Sequence, residues 1–262
     1  EHFCFLDSDI LAVGPFMQGV VPQIAPHVGV FAGAPLWMRP ADRIFRPEYD
    51  VICGEHDRTA AGLPLGGTFF AIYDNHTLTD FIHTQGVGFE MRGWQQIPAA
   101  MQPWLAAQDL AGPRHWFDTG KVLNLGLQQQ GATLAVLDSP DLHHLGGLSF
   151  IAKRNWYDAV KGLRGTWGKV YRTVRAGYVG LRRRYYDDPV NRSRKLPFSR
   201  RRRVYGPYFT ALLAATVDGQ TPPPLPVEDD PAVRTRAAAA TAAIAAIFQA
   251  EKTGQPPARE YA

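Results

Sequence analysis

Asp7 and Asp9 are two carboxylates spaced i, i+2, a pattern that could hold a metal ion. They follow an apolar run, Phe3–Leu6, which predicts a short buried strand. A buried carboxylate is costly unless it is paired or bound to a cation. Both side chains can turn toward one ion, and hard oxygen ligands suit Mg²⁺ or Mn²⁺ carrying a diphosphate. The alternative is a strand end followed by an acidic turn.

Adjacent histidines form a second candidate metal-binding motif. His143 and His144 come after a predicted buried strand at Ala132–Leu137 and just before Gly146 and Gly147. A histidine at a strand end, beside backbone that can approach closely, suits a metal ligand. The histidine pair is therefore a metal-ligand candidate, although a structural role for it stays open.

Asp118 is a carboxylate directly before a predicted helix. It lies in the segment Phe117-Asp118-Thr119-Gly120, and the helix is predicted over Lys121–Gln130, where Gly131 ends it. Asp118 or Thr119 is expected to be the N-cap of this helix. A helix N-terminus favours the ionised form of the Asp118 carboxylate.

Two glycines and a tryptophan are candidates for substrate contact. Gly66, Gly67 and Thr68 run into an apolar aromatic segment, and glycine at a strand start often marks close approach of a ligand or backbone. Trp94, among polar neighbours, could be a platform for a sugar ring. A simple turn and a core tryptophan explain them equally well. Glu55-His56-Asp57-Arg58 is interpreted as a solvated turn.

Predicted strands and helices alternate around these residues. Strands are expected at Val28–Ala32, Pro64–Tyr73 and Ala132–Leu137, and a helix at Asn75–Thr84. The chain has 262 residues, of which 45% are hydrophobic, so it can bury a sizeable core. The alternation predicts an α/β fold.

Cysteine content and hydropathy indicate the cellular compartment in which the protein is expected. Cys4 and Cys53 are too few for a disulfide framework, and Cys4, inside the apolar run, is expected to be a core thiol. This suits a reducing compartment. No run of 18 apolar residues and no signal peptide is found. The expected location is therefore the cytoplasm, peripheral on the inner face of a membrane.

The C-terminal part is strongly basic. Residues 151–203 hold 17 Lys and Arg against three acids. Residues 151–186 show apolar residues at helical spacing, including Trp156, Trp167 and Tyr178, which predicts an amphipathic helix with a basic face. Such a helix can dock on the rest of the chain, lie on an anionic membrane surface or grip nucleic acid.

We expect three divisions: 1–150 as a catalytic domain, 151–218 as a basic helical region, and 219–262 as a Pro-rich linker and Ala-rich helix. A basic loop is expected over residues 187–203 and helices over 205–217 and 234–252.

The order of the motifs resembles the catalytic domain of nucleotide-sugar glycosyltransferases with the GT-A fold, of the family 2-like kind, over about residues 2–150. The segments that carry the resemblance are Phe5-Leu6-Asp7-Ser8-Asp9, Gly66-Gly67-Thr68-Phe69-Phe70-Ala71, Phe117-Asp118-Thr119-Gly120 and His144-Leu145-Gly146-Gly147-Leu148-Ser149. The resemblance implies a GT-A-like mixed sheet and transfer of a sugar from a nucleotide-diphosphate sugar to a glycan or lipid-linked acceptor. It also implies that Asp7, Asp9 and His144 hold Mn²⁺ or Mg²⁺ and that Asp118 is the base.

Two departures from the family pattern stand out. The family shows Glu-Asp where this chain has Phe117-Asp118, and Glu90 is the next candidate base. The family's nucleotide-binding half precedes its Asp-x-Asp motif, which here begins at Asp7, so the chain is expected to be a fragment or to lack that half. The rival interpretations are a phosphatase similar to haloacid dehalogenases, with Asp7 as nucleophile, and a non-catalytic nucleic-acid-binding protein. Nucleic acid is not the expected partner, because the aromatic residues of the basic segment fall at helical spacing.

Overall fold

The computed structural model describes residues 1–32, 34–137, 139–146, 148 and 196–253, together with 170–171, 173–174 and 177–178. The described strands are β1 (His2–Leu6), β2 (Ile10–Ala12), β3 (Val28–Ala32), β4 (Ile44–Phe45), β5 (Val51–Ile52), β6 (Arg58–Thr59), β7 (Phe70–Asp74), β8 (Arg92–Gly93), β9 (Trp116–Phe117), β10 (Thr133–Leu137) and β11 (Leu142–His144). The α-helices are α1 (Met17–Val20), α2 (Asn75–Gln85), α3 (Gln102–Ala107), α4 (Lys121–Gln129), α5 (Ser199–Val217) and α6 (Pro231–Thr253). Short 3₁₀ turns span Val21–Gln23, Pro40–Arg43, Pro47–Tyr49 and Trp94–Gln96.

A four-stranded mixed sheet with the order β1-β7-β3-β10 is the centre of the fold. β10 runs parallel to β3, whereas β7 is antiparallel to both β1 and β3. Side chains alternate between the two faces of the sheet. Phe31 and Tyr73 enter a core with α2 and α4, while Val30 and Ile72 face a second core with Val20 of α1. The chain is α/β, as the alternating pattern predicted.

The apolar run at the N-terminus is less buried than its composition indicates. β1 is an edge strand that pairs only with β7 among the described strands, and Phe3 and Leu6 are 38% and 59% exposed. Cys4 is also exposed. The predictions of a buried strand and of a core thiol at Cys4 are therefore wrong, because burial of a strand depends on neighbours on both edges and faces, which periodicity does not reveal.

Several predicted elements lie where the sequence places them. β3 and β10 match the predicted strands, and α2 matches the predicted helix, with Leu78 and Phe81 buried against the sheet. The expected basic loop over 187–203 is wrong at its C-terminal end. The helix α5 begins at Ser199, so Arg200–Arg203 are helical.

The last two helices pack together and onto the rest of the chain. Val233, Ala237, Ala240 and Ile244 recur at spacings of three and four, and all are buried. Their small side chains let α6 approach α5 closely, and the hydroxyl groups of Tyr208 and Thr241 lie 2.9 Å apart across that contact. A third apolar core joins this pair of helices to Trp37, Cys53 and Leu145.

The predicted amphipathic helix over 151–186 falls outside the described residues, apart from a few helical positions between 170 and 178. Among the described helices, none combines the length and apolar composition needed to cross a bilayer. The division of the chain at 150 and 218 stays a prediction.

Candidate functional site

Two parallel strands end side by side at the candidate site. Val51 and Ile52 of β5 pair with Trp116 and Phe117 of β9. The pairing continues one residue further, where the Asp118 amide donates to the Ile52 carbonyl over 3.0 Å. The carboxyl ends of neighbouring parallel strands are where α/β proteins place ligands. The residues that follow both strands are therefore brought to one edge.

The carboxylate of Asp118 bridges the two strand ends. Its Oδ2 accepts the Gly54 amide at 2.9 Å, and its Oδ1 accepts the Thr119 amide at 2.9 Å. The N-cap of α4 is Gly120, with φ +73°, and no side chain caps this helix end by a hydrogen bond. The expectation that Asp118 or Thr119 caps α4 is therefore wrong. The Asp118 carboxylate instead fixes the loop that follows β5.

Lys121 lies behind Asp118 and is fully buried. Its ammonium donates to the carbonyl oxygens of Gly54, at 3.3 Å, and His56, at 2.6 Å, and also to that of Gly66. One side chain therefore ties together the loop after β5, the glycine turn before β7 and the start of α4. Three carbonyl acceptors match the three donors of a lysine ammonium.

Burial shifts the pKa values of Lys121, His56 and Cys53. Desolvation lowers the pKa of Lys121 to about 8, against the opposing attraction of Asp118, Asp57 and Cys53. Desolvation, together with the Lys121 charge, lowers the pKa of His56 to about 3. His56 is therefore neutral at pH 7, and its Nδ1 accepts the Cys53 amide at 3.1 Å. Desolvation also raises the pKa of the Cys53 thiol to about 12, so it is not a reactive thiolate.

The glycine segment lies against Asp118 and Lys121. A Cβ on Gly67 would lie 2.9 Å from the Gly54 carbonyl oxygen, so only glycine allows these two loops to approach as they do. Thr68 is buried, and its hydroxyl donates to the Thr119 carbonyl at 3.3 Å. Gly66, Gly67 and Thr68 are thus brought to the same place as Asp118.

Phe69 connects this place to the predicted metal ligands. Its ring centroid lies 4.0 Å from that of His144. A Cβ on Gly54 would lie 2.9 Å from Phe69 Cζ and 3.5 Å from Asp118 Oδ2. Phe69 therefore contacts His144 and also lies close to Gly54, whose amide binds Asp118.

Asp9 and His144 form a buried pair, with Asp9 Oδ1 3.2 Å from His144 Nε2. The antiparallel pairing of β2 with β11 holds them together, and the Leu145 amide donates to the Asp9 carbonyl at 2.9 Å. Asp9 Oδ2 also accepts the Leu148 amide at 3.3 Å. The structure therefore brings together two of the three predicted metal ligands.

Asp7 is half-buried and accepts the adjacent Ser8 amide at 2.7 Å. Within the described part of the chain, no three His, Cys, Asp or Glu side chains are grouped so that they could hold a metal ion. Mg²⁺ is commonly held by one or two carboxylates together with substrate phosphates. The chemistry of Asp7, Asp9 and His144 fits an ion of that kind, and the metal site stays a prediction.

Glu90 and Trp94 are not brought into this group by any described contact. Glu90 is exposed and pairs with Arg92, whose Nε lies 2.7 Å from its Oε1. Trp94 is half-buried against the main core. A role for Trp94 in binding substrate stays a prediction.

The loop after β5 is the part of the site that the sequence did not reveal. Glu55, His56 and Asp57 are buried, with 8%, 0% and 7% of their surfaces exposed, so their interpretation as a solvated turn is wrong. Arg202 of α5 pairs with Glu55, and Arg43 Nε lies 3.3 Å from Asp57 Oδ2. These partners are distant in sequence. The one local indication in the sequence is that four consecutive ionisable residues, Glu55–Arg58, closely follow the apolar pair Val51–Ile52.

Comparison of the chain with protein-family models, with curated proteins and with solved structures finds no match.

Proposed function

We propose that the chain is a metal-dependent glycosyltransferase of the GT-A kind, which moves a sugar from a nucleotide-diphosphate sugar to the hydroxyl group of a glycan or lipid-linked acceptor. One observation carries the proposal. Phe69 contacts His144 of the Asp9–His144 pair and also approaches Gly54, whose amide binds Asp118. Phe69 thus connects the residues proposed to hold a diphosphate-bound ion with the residues around the proposed carboxylate base.

Each residue has a role in this proposal. Asp7, Asp9 and His144 would hold Mn²⁺ or Mg²⁺, which neutralises the diphosphate leaving group. Asp118 accepts the proton of the acceptor hydroxyl. The Gly54 amide orients the Asp118 carboxylate. Gly66, Gly67, Thr68 and Trp94 are assigned to substrate contact.

Metal binding is tested first, because it has a readout separate from turnover. Mn²⁺ binding is followed by electron paramagnetic resonance, with and without UDP or GDP. We expect the nucleotide diphosphate to tighten Mn²⁺ binding, and Asp7→Asn to weaken it in a way that excess Mn²⁺ partly restores. Among the described residues, the Asp7 side chain bonds only to its neighbour Ser8, so this variant should fold normally. No Mn²⁺ binding by the wild type would refute the metal site.

Turnover is tested with a panel of nucleotide sugars and acceptor glycans. Asp118→Asn keeps the shape of the side chain but removes the base, so we expect turnover to fall by roughly 10²–10⁴-fold. Asp74→Asn is the matched control, since Asp74 also ends a strand before a helix and accepts the Thr77 hydroxyl at 2.6 Å. It should leave turnover unchanged. A near wild-type rate for folded Asp118→Asn would mean that the base is another residue, with Glu90 next.

The partner surface in this proposal is an anionic membrane, with the protein peripheral on its cytoplasmic face. The 17 basic residues of 151–203 provide the charge, and Val170, Val174 and Tyr178 are helical and 47–65% exposed. Each Lys or Arg near an anionic surface contributes about 1 kcal/mol. Co-sedimentation should be strong with anionic vesicles and weak with neutral ones, and should fall with salt. Equal partitioning to both would contradict an electrostatic anchor.

A further inference from the structure

The first turn of α5 covers the loop after β5, residues 53–57. Phe198, at the N-cap of α5, has its ring centroid 5.7 Å from that of His56. Arg202 forms an ion pair with Glu55, and its guanidinium carbon lies 5.4 Å from the centre of the Phe198 ring. Phe198 and Arg202 are four positions apart, so they lie on one face of the helix. That face therefore contacts two neighbouring residues of the loop.

The Arg202–Glu55 ion pair compensates a buried carboxylate. Glu55 is 8% exposed, and among the described residues its ion-pair partner is Arg202. Removing one member of a buried ion pair is strongly destabilising, because the other charge stays buried without compensation. Without Arg202, the Glu55 carboxylate would be compensated only by moving into water. The loop would have to open to let it do so.

Opening of this loop would change the surroundings of Asp118. Gly54, the residue before Glu55, donates its amide to Asp118 Oδ2 at 2.9 Å. The carbonyl oxygens of Gly54 and His56, on either side of Glu55, accept hydrogen bonds from Lys121. Glu55 therefore cannot leave its place without disturbing the contacts that orient the Asp118 carboxylate.

We propose that α5 is a strap that holds the loop after β5 closed against Asp118, and that the Arg202–Glu55 ion pair is its latch. With the latch formed, the Gly54 amide stays on Asp118. With the latch broken, the loop opens locally while the cores stay folded. Docking of α5 thus regulates whether Asp118 is oriented. The consequence for sugar transfer rests on the proposed function, whereas the opening of the loop does not.

Cys53 provides a reporter for the opening of the loop. It begins the loop, is 3% exposed and belongs to the core that includes residues of α5. A thiol in that position reacts with a soluble reagent only after the loop opens or α5 moves away. The test measures the rate at which N-ethylmaleimide modifies Cys53 in the full chain without denaturant. Cys4 is exposed, so the measurement is made in a Cys4→Ser background.

Arg202→Met should accelerate modification of Cys53 by about tenfold, because a bond between charged groups is lost from the closed loop. Arg201→Met is the matched control, since Arg201 lies on the same helix but pairs with Asp42 and Glu228, outside the loop. It should leave the rate unchanged. Equal rates for the two variants would overturn the proposal. If Arg202→Met does not fold, Arg202→Gln replaces it with the same expectation.

A second substitution separates the latch from simple loss of packing. Glu55→Gln added to Arg202→Met removes the uncompensated carboxylate, so the rate of Cys53 modification should return toward that of the wild type. Lost packing of the Arg202 side chain would not be restored by this change. A double variant that reacts as fast as Arg202→Met would therefore refute the latch.

Failure of this proposal is distinct from failure of the proposed function. Faster Cys53 modification in Arg202→Met, with no Mn²⁺–nucleotide binding by the wild type, would keep the strap and refute the transferase. Mn²⁺–nucleotide binding with unchanged Cys53 modification would keep the transferase assignment and refute the strap.

Discussion

The Asp9–His144 pair and the cluster around Lys121 both bury charge, but they compensate it differently. In the pair, a carboxylate meets an imidazole at 3.2 Å beside two short antiparallel strands. In the Lys121 cluster, defined as His56, Asp57, Asp118 and Lys121, the ammonium is held by backbone carbonyl oxygens from two separate loops.

The difference separates two tasks. The Asp9–His144 pair joins β2 to β11. The Lys121 cluster joins the loop after β5, the glycine turn and α4, and so fixes the surroundings of Asp118. We infer that the cluster supports the position of Asp118, whereas the proposed function assigns the pair to metal binding.

Removing the Lys121 ammonium should change the free energy of unfolding more than any other substitution discussed below. Lys121→Met leaves three buried carbonyls without their donor, and an unsatisfied buried group costs about 1–3 kcal/mol. The variant also removes the desolvation cost of the charge, which is on the order of 3 kcal/mol for a pKa lowered from 10.5 to about 8. We expect a net destabilisation of about 2–4 kcal/mol at pH 7, measured by urea unfolding.

Arg203→Met is the control for that measurement, because Arg203 is exposed and, within the described part of the chain, donates only to the Ser199 carbonyl. Its free energy of unfolding should change by less than about 0.5 kcal/mol. A Lys121→Met variant as stable as the wild type would mean that the carbonyl contacts are not the support inferred above.

The same variant has a pH signature. Because the pKa of Lys121 is lower in the folded state, the unfolded chain binds more protons between about pH 8 and 10.5, and this group adds stability as pH rises through that window. Cys53, whose pKa is raised, acts in the opposite direction above pH 9. The wild type is therefore compared with Lys121→Met at each pH, and the difference in unfolding free energy should grow between pH 8 and 10.5.

The sequence predicted the Asp9–His144 pair better than the Lys121 cluster for a physical reason. Carboxylates directly after an apolar run and histidines at a strand end break a local pattern, so they stand out. Lys121 stands at a helix start, where an exposed lysine is ordinary. It is buried because the loop after β5 and the glycine turn cover it, and those contacts span 55–67 residues of sequence.

The same reasoning explains the wrong predictions in the fold. Strands β3 and β10 and helix α2 follow from local periodicity, and the structure has them where expected. Burial of Phe3 and Cys4 depends on what lies beside β1, and burial of Asp57 depends on Arg43 from another segment. Local patterns predict the elements, whereas burial of a polar or edge residue is a tertiary property.

Lowering the pH should destabilise the folded protein through protonation of His56 in the Lys121 cluster. The loss of unfolding free energy should be smaller than the loss caused by removing Lys121. The pKa of His56 is about 3 in the folded state against 6.5 in the unfolded chain, so below pH 6.5 the unfolded chain binds a proton that the folded protein does not. Stability from this group is fully present above pH 6.5 and is lost as pH falls toward 3. At pH 5 the loss is about 2 kcal/mol. His56→Asn should remove that part of the pH slope.

His76 provides the control, because its side chain is 83% exposed and, among the described residues, pairs only with Asp80, four positions along the same helix. His76→Asn should leave the slope unchanged, and identical slopes for both variants would contradict the assignment to His56.

The location of the effect can also be measured. Protonating His56 Nδ1 breaks its bond to the Cys53 amide, at the start of the loop that binds Asp118. On lowering the pH, the protection factors of the Cys53 and Gly54 amides, which are the intrinsic exchange rates at the same pH divided by the observed rates, should therefore fall before that of Leu145, whose amide bonds to Asp9.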